Sequence, residues 1–129
     1  VEDVFRVRRV YDDADPADRD GPRVLVDRLW PRGISRERAA VDDWFKDVAP
    51  SAELRSWYHR DTSRYEEFAA RYRKELDDPG HRPVVEALLS LAAAGERPVT
   101  LVTAVKDVEH SHLPTLLRRL GQVRRPGTR

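Results

Sequence analysis

Apolar and polar positions follow two different rhythms along this chain. Val4-Phe5-Arg6-Val7-Arg8-Arg9-Val10 alternates imperfectly and predicts a first strand with one wet face. The acidic stretch from Tyr11 to Asp20, broken by Pro16, predicts a loop, and Asp20-Gly21 a turn. From Val24 to Arg28 the pattern predicts a second strand, and its triplet Val24-Leu25-Val26, apolar on both faces, places it centrally in a sheet. Ser35 can cap a short helical turn reaching Ala40, and Val41 to Phe45 is a third strand candidate.

The rhythm then becomes helical. Pro50-Ser51 starts a helix to His59, with Ser51 as cap and Glu53 in the first turn, where the helix dipole favours an acid. Ser63-x-x-Glu66 fits a capping box, and Tyr65, Phe68, Ala69, Tyr72 and Leu76 then define one buried helical face. Asp77-Asp78-Pro79-Gly80 ends that helix. Pro83 opens another, and Val84 to Ala94 is apolar nearly all round until Gly95. Val99-Thr100-Leu101-Val102-Thr103 predicts the last strand. A polar loop leads from it into a final helix ending near Leu120-Gly121.

Strands separated by helices of this length predict a βαβ arrangement. The expected fold class is α/β, a single-domain Rossmann-like sandwich whose mostly parallel sheet is flanked by helices. The domain is expected over residues 1–121, with a basic, flexible tail over 122–129. At 129 residues the chain can bury one core of its own.

Charge narrows the choice of partners. Lys+Arg 24 and Asp+Glu 23 nearly cancel, so duplex nucleic acid is not an expected partner. With no cysteine, disulfides, thiolate catalysis and Cys-ligated zinc are excluded. No apolar run approaches the ~18–20 residues that span a bilayer, so no membrane is expected as partner. The charged, strand-like amino terminus does not read as a signal peptide. The expected location is the cytoplasm.

Chemistry concentrates after the second and last strands. α/β sheets bind ligands at the carboxyl ends of their strands. If the strands at 24–28 and 99–103 are parallel neighbours, Asp27, Arg28, Trp30 and Arg32 come near Lys106, Asp107, His110 and His112. Asp27 is either a general base or orienting carboxylate, or half of a salt bridge to Arg28, Arg32 or Lys106. Arg28 and Arg32 are either a clamp for phosphate or carboxylate, or solvated or paired arginines. Trp30, before Pro31, is a core plug or a platform for a flat ligand. In an extended loop His110 and His112 would point the same way and could share a metal with Glu109 or Asp107. The other reading gives one histidine a backbone bond and turns the other to the cleft as acid, base or donor. His59-Arg60-Asp61 is a further contributor or a charged interhelical turn. No phosphate-binding glycine loop, dinucleotide fingerprint or nucleophile elbow is present. The cofactor is left unknown.

Four stretches carry a family resemblance. They are DG-x-RVLVDRLWPRG-x-S at Asp20 to Ser35, APS-x-x-LR-x-W at Ala49 to Trp57, the aromatic helix with Phe68, Tyr72 and Glu75-Leu76, and VTLVTAVKDVEHSH at Val99 to His112. On these the chain resembles the YeaO-like proteins, a branch of a large family without an assigned activity, over nearly all of Val7 to Leu120. The resemblance implies a compact Rossmann-like sandwich and brings no reaction with it. More distant relatives look similar at both loops, with cysteines where this chain has Thr103 and Ser111, so thiol chemistry there would be closed to this protein.

The leading expectation is a small anionic or nucleotide-like ligand in a polar cleft. Asp27 and His110 are candidate acid/base groups, and Arg28, Trp30, Arg32, Lys106, Asp107 and His112 candidate ligand contacts. The alternatives are a non-catalytic interaction or regulatory module with Trp30 as anchor, and a metal-dependent hydrolase using His110 and His112.

Overall fold

β1 (Phe5–Arg9), β2 (Arg23–Leu25), β3 (Asp43–Trp44) and β4 (Val99–Thr103) form one parallel sheet in the order β1-β4-β2-β3. The structure, a computed structural model, describes residues 4–11, 21–95 and 98–124. The acidic loop over 12–20 and the end of the basic tail, 125–129, lie outside them. Among the described residues five α-helices complete the single α/β domain: α1 (Arg36–Ala39), α2 (Ala52–Arg60), α3 (Tyr65–Asp77), α4 (Arg82–Ala94) and α5 (Leu113–Arg124).

β2 and β4 are central because both their faces are covered. Alternate residues of a strand point to opposite faces. Val24, Val99 and Leu101 pack with α2 to α5 around Leu54, Phe68, Tyr72, Leu88 and Leu116. Leu25 and Val102 face the other way, toward Val10, Ile34 and Ala39 of α1. The register Val24↔Leu101 and Leu25↔Val102 aligns the two apolar sets.

Several boundaries differ from the sequence reading, each for a local reason. β2 ends at Leu25, and one more rung, Val26 N–H to Val102 O at 3.0 Å, precedes the turn at Asp27. β3 is reduced to two residues. The helix expected to start at Ser63 is led in by Asp61, whose carboxylate accepts from the Ser63 N–H (3.1 Å) and hydroxyl (2.6 Å). That carboxylate opens a 3-10 turn, Thr62–Arg64, and α3 follows at Tyr65. α5 runs through Gly121 to Arg124, because a single glycine costs a helix only about 1 kcal/mol relative to alanine.

The segment between β2 and β3 is tied at its neck. The Arg23 side chain, 5% exposed, donates from Nε to Ala40 O (2.8 Å) and from Nη2 to Ala39 O (3.1 Å). Its backbone N–H donates to the Asp42 carboxylate at 2.8 Å, and the Asp42 N–H returns to Arg23 O at 2.7 Å. Carbonyls at the end of α1, where Ala40 turns left-handed at φ 53, are thereby satisfied.

Candidate functional site

β2 and β4 are neighbours, yet their following chains leave on opposite sides of the sheet. After β2 the chain runs to α1 on one face, and after β4 to α5 on the other. Divergence of this kind opens a crevice at the carboxyl ends. A cleft of about 400 Å³ lies there.

Asp27 sits at its inner end. Its Oδ1 accepts from the Thr103 hydroxyl at 2.7 Å and its Oδ2 from the Ala104 N–H at 2.8 Å, so it clips the ends of β2 and β4 together. No expected partner of this carboxylate (Arg28, Arg32 or Lys106) forms that clip. His112 is the third neighbour, with Nε2 3.5 Å from Asp27 Oδ1. The imidazole is buried, and its Nε2 lies 3.0 Å from the Val26 carbonyl. A carbonyl only accepts, so Nε2 carries the proton in this pairing. The Tyr72 ring meets His112 edge-on, at 5.8 Å between centroids.

Burial holds the His112 pKa below its ordinary 6.5; Asp27 and the Val26 carbonyl pull it upward, and Arg55 reinforces the lowering. The folded state therefore favours the neutral imidazole, and the unfolded chain takes up a proton first as pH falls. Stability from this group is complete above about pH 6.5 and is lost as pH drops toward the lower folded value. Urea midpoints measured at about pH 7.5 and about pH 5.5 are expected to fall between the two, and His112→Gln to flatten the change. An equal fall in the variant would assign it to other groups.

Arg28 reaches across to the segment before α2. Its Nε donates to Pro50 O (3.0 Å) and Nη2 to Ala49 O (3.2 Å). Both acceptors are neutral, so the guanidinium keeps its charge beside the cleft. Trp30 is half-buried and directs Nε1–H to Ile34 O at 2.8 Å, bracketing the turn in which Gly33 adopts φ +72. Trp44 packs edge-on to it at 5.6 Å, and the Arg36 guanidinium lies 4.8 Å from its ring. Trp30 is thus anchored as a plug is, while still lining the cleft. Arg32 is exposed on the rim.

His110 and His112 separate. Residues Val108–His110 form a 3-10 turn, not the extended loop that would align the two rings. His110 is exposed and pairs through Nδ1 with the Asp107 carboxylate at 2.9 Å. Among the described residues no group of three or more His, Cys, Asp or Glu is placed to hold a metal ion. Lys106 is exposed and is not part of the cleft wall, whereas Asp107, His110 and His112 are.

The opposite wall comes from α2 and α3. Leu54 and Tyr58 of α2 turn to the core, and Arg55 and His59, one helical turn apart, face the cleft. Tyr58 stacks on Phe68 at 4.3 Å and donates its hydroxyl to His110 O at 3.0 Å. His59 belongs to the site, while Arg60 and Asp61 do not line it. The sequence reading missed Arg55. Its place beside the Leu54–Tyr58 stripe is the signal that could have found it.

The chain that carries this arrangement, with Val26-Asp27-Arg28 at a strand end facing a histidine loop, is similar to other proteins. Residues 4–125 match the family described as the inactive DUF488-N3 subclade. The chain belongs to this family. Uncharacterized protein Rv3073c of Mycobacterium tuberculosis (strain ATCC 25618 / H37Rv) is 48% identical over 115 residues, covering 89% of this chain and 92% of the relative. Mb3100c of Mycobacterium bovis is similar to the same extent, 48% over 115 residues. YeaO of Escherichia coli (strain K12) is 39% identical over 108 residues, covering 84% of this chain and 89% of YeaO. The YeaO-like resemblance therefore holds across this DUF488-N3 member. No solved structure matches. Among the described residues no helix is long and apolar enough to cross a membrane.

Proposed function

We propose that the cleft binds a small anionic ligand, nucleotide-like compounds included, and that the protein acts as a binding module without chemistry of its own. The observation that carries this reading is the cleft at the β2 and β4 ends, with three arginines (Arg28, Arg32, Arg55) against two aspartates (Asp27, Asp107) among its lining residues. Its volume, about 400 Å³, lies in the range typical of small-molecule sites. Both acids already have partners, Asp27 in Thr103 and Ala104 and Asp107 in His110. Three guanidinium groups against two carboxylates leave the lining with an excess of positive charge.

Catalysis has weaker support. Asp27 and His110, the acid/base candidates of the sequence, are each engaged elsewhere, and the buried His112 that adjoins Asp27 directs Nε2 to a backbone carbonyl. The family's description as inactive agrees with binding alone. The interaction-module alternative needs Trp30 free, and its Nε1 is held by Ile34.

The test is a thermal-shift screen of untagged protein against nucleotides, sugar phosphates, aryl and alkyl carboxylates and divalent metals. A ligand at one hundred times its Kd stabilises by roughly 2.7 kcal/mol, which raises Tm by several degrees. Anions are expected to give the shift, and added salt to reduce it. A flat response to every anion would remove this reading.

A further inference from the structure

Arg55 is set apart by what it lacks. Arginines that are partly buried usually fix their guanidinium groups on a protein acceptor, and those that do not keep the group facing solvent. The other arginines that are buried or half-buried among the described residues obey this. Arg9 donates to Val105 O, Arg23 to Ala39 and Ala40, Arg28 to Ala49 and Pro50, and Arg73 and Arg119 pair with Asp77. Arg6 and Arg8 have partners too. The backbone N–H of Arg55 bonds Ser51 O at 2.9 Å, but its half-buried side chain, among the described residues, makes no hydrogen bond and no ion pair and keeps its nitrogens within reach of solvent. It stands on the cleft wall, close enough to His112 for its charge to act on that imidazole.

The surface around this charge has a character of its own. Trp30, Pro31, Pro50, Tyr58 and Phe68 are all among the residues that line the cleft. Tyr58 and Phe68 lie nearly parallel, 14° apart, and both are buried. Flat, rigid surfaces of this kind favour a flat ligand, which buries a large apolar area while fixing few rotatable bonds. A planar carboxylate-type group is also the natural complement of a guanidinium fork.

We propose that Arg55 is the anion-binding residue of the cleft and that the ligand is a planar aryl or heteroaryl compound bearing one anionic group, its ring lying against the aromatic and proline wall. The proposal rests on the binding reading above and narrows it to a ligand class and a residue. In the complex the ligand takes the place of the solvent that the guanidinium faces in the open cleft.

Two experiments test it. In the first, naphthalene-2-carboxylate, 2-naphthylmethanol and cyclohexanecarboxylate are titrated by calorimetry into wild type, Arg55→Gln and Arg38→Gln, the last at an exposed arginine that does not line the cleft. The aryl carboxylate is expected to bind about tenfold or more tighter than the neutral aryl alcohol and the non-planar acid. Arg55→Gln is expected to lose about tenfold or more, as for a charged hydrogen bond, and Arg38→Gln less than about threefold. If neither carboxylate binds, the binding reading fails together with this one. If carboxylates bind equally well to Arg55→Gln, or planar and non-planar acids are not distinguished, anion binding stands and the assignment made here is overturned. In the second, the melting temperature of ligand-free Arg55→Met is compared with wild type. A bare charge contributes nothing to the fold, so the variant is expected to melt at or above wild type. A clear drop would give Arg55 a structural role and overturn the proposal without reference to any ligand.

Discussion

Tyr72→Ala is expected to lower stability by about 3–5 kcal/mol, the range for removing a large aromatic from a core. Tyr72 is fully buried and ties α3 to the segments at Val48 and His112. Its ring stacks toward Phe68 at 6.3 Å and meets His112 edge-on, while its hydroxyl donates to Val48 O at 2.7 Å. Burial raises the phenol pKa, with the Glu75 and Asp27 charges adding to it, so the group remains a neutral donor. Tyr72→Phe keeps the ring and deletes only that bond, for an expected loss of about 1–2 kcal/mol. Urea unfolding of the pair separates packing from hydrogen bonding. Similar losses for both variants would show that the hydroxyl, not the ring, supports the cleft floor.

Asp27→Ala is expected to cost about 2–4 kcal/mol, because it strands two donors at once. The Thr103 hydroxyl is fully buried, and the Ala104 N–H points at the carboxylate and nowhere else in the sheet. Asp27→Asn should be milder, at about 1 kcal/mol, since the amide oxygen can still accept from Ala104 N–H. Thr103 can adjust because its hydroxyl also accepts from the Val105 N–H, at 3.3 Å. Denaturation curves with unchanged slopes would assign the losses to the clip. Should alanine prove as mild as asparagine, the clip between β2 and β4 would be a surface convenience, and Asp27 would be free for a role with the ligand.

The elements with strong periodicity were readable because burial alone decides them. Val24 and Leu25 point to opposite faces of β2 and both are fully buried, so the continuous apolar run Val24-Leu25-Val26 meant a strand covered on both sides. Tyr65, Phe68, Tyr72 and Leu76 recur at helical spacing, and the last three are buried as that spacing requires. What escaped was decided by competition between neighbours. Ser63 and Asp61 both can cap, and the acid two residues earlier captures the serine as a donor. The neighbourhood of β2 and β4 could be anticipated from their loops, but not which histidine would lie beside Asp27. A 3-10 turn of three residues puts His110 at the rim and His112 inside, and nothing in the spacing of two histidines encodes that turn. Arg55 escaped because a helical arginine ordinarily means solvent. Only the cleft gives it another meaning.

The knot at Arg23 has a consequence for how this family can change. One residue at the entrance of β2 holds the carbonyls of Ala39 and Ala40 and exchanges hydrogen bonds with Asp42. Everything from Val24 to Val41 is thereby enclosed in a closed ring whose tie lies away from the cleft. The stretch that forms the rim, Leu29 to Arg32, hangs from that ring, and Leu29 at 61% exposure contributes no core contact. The exposed rim positions Leu29 and Arg32 are thereby separated from the fold, whereas Trp30 between them belongs to it. Drift can rewrite those two letters, altering what the proposed site admits, while Trp30 and the knot keep the frame in register. Exchanging Leu29 and Arg32 for the residues of a relative should therefore leave the melting temperature of the host unchanged.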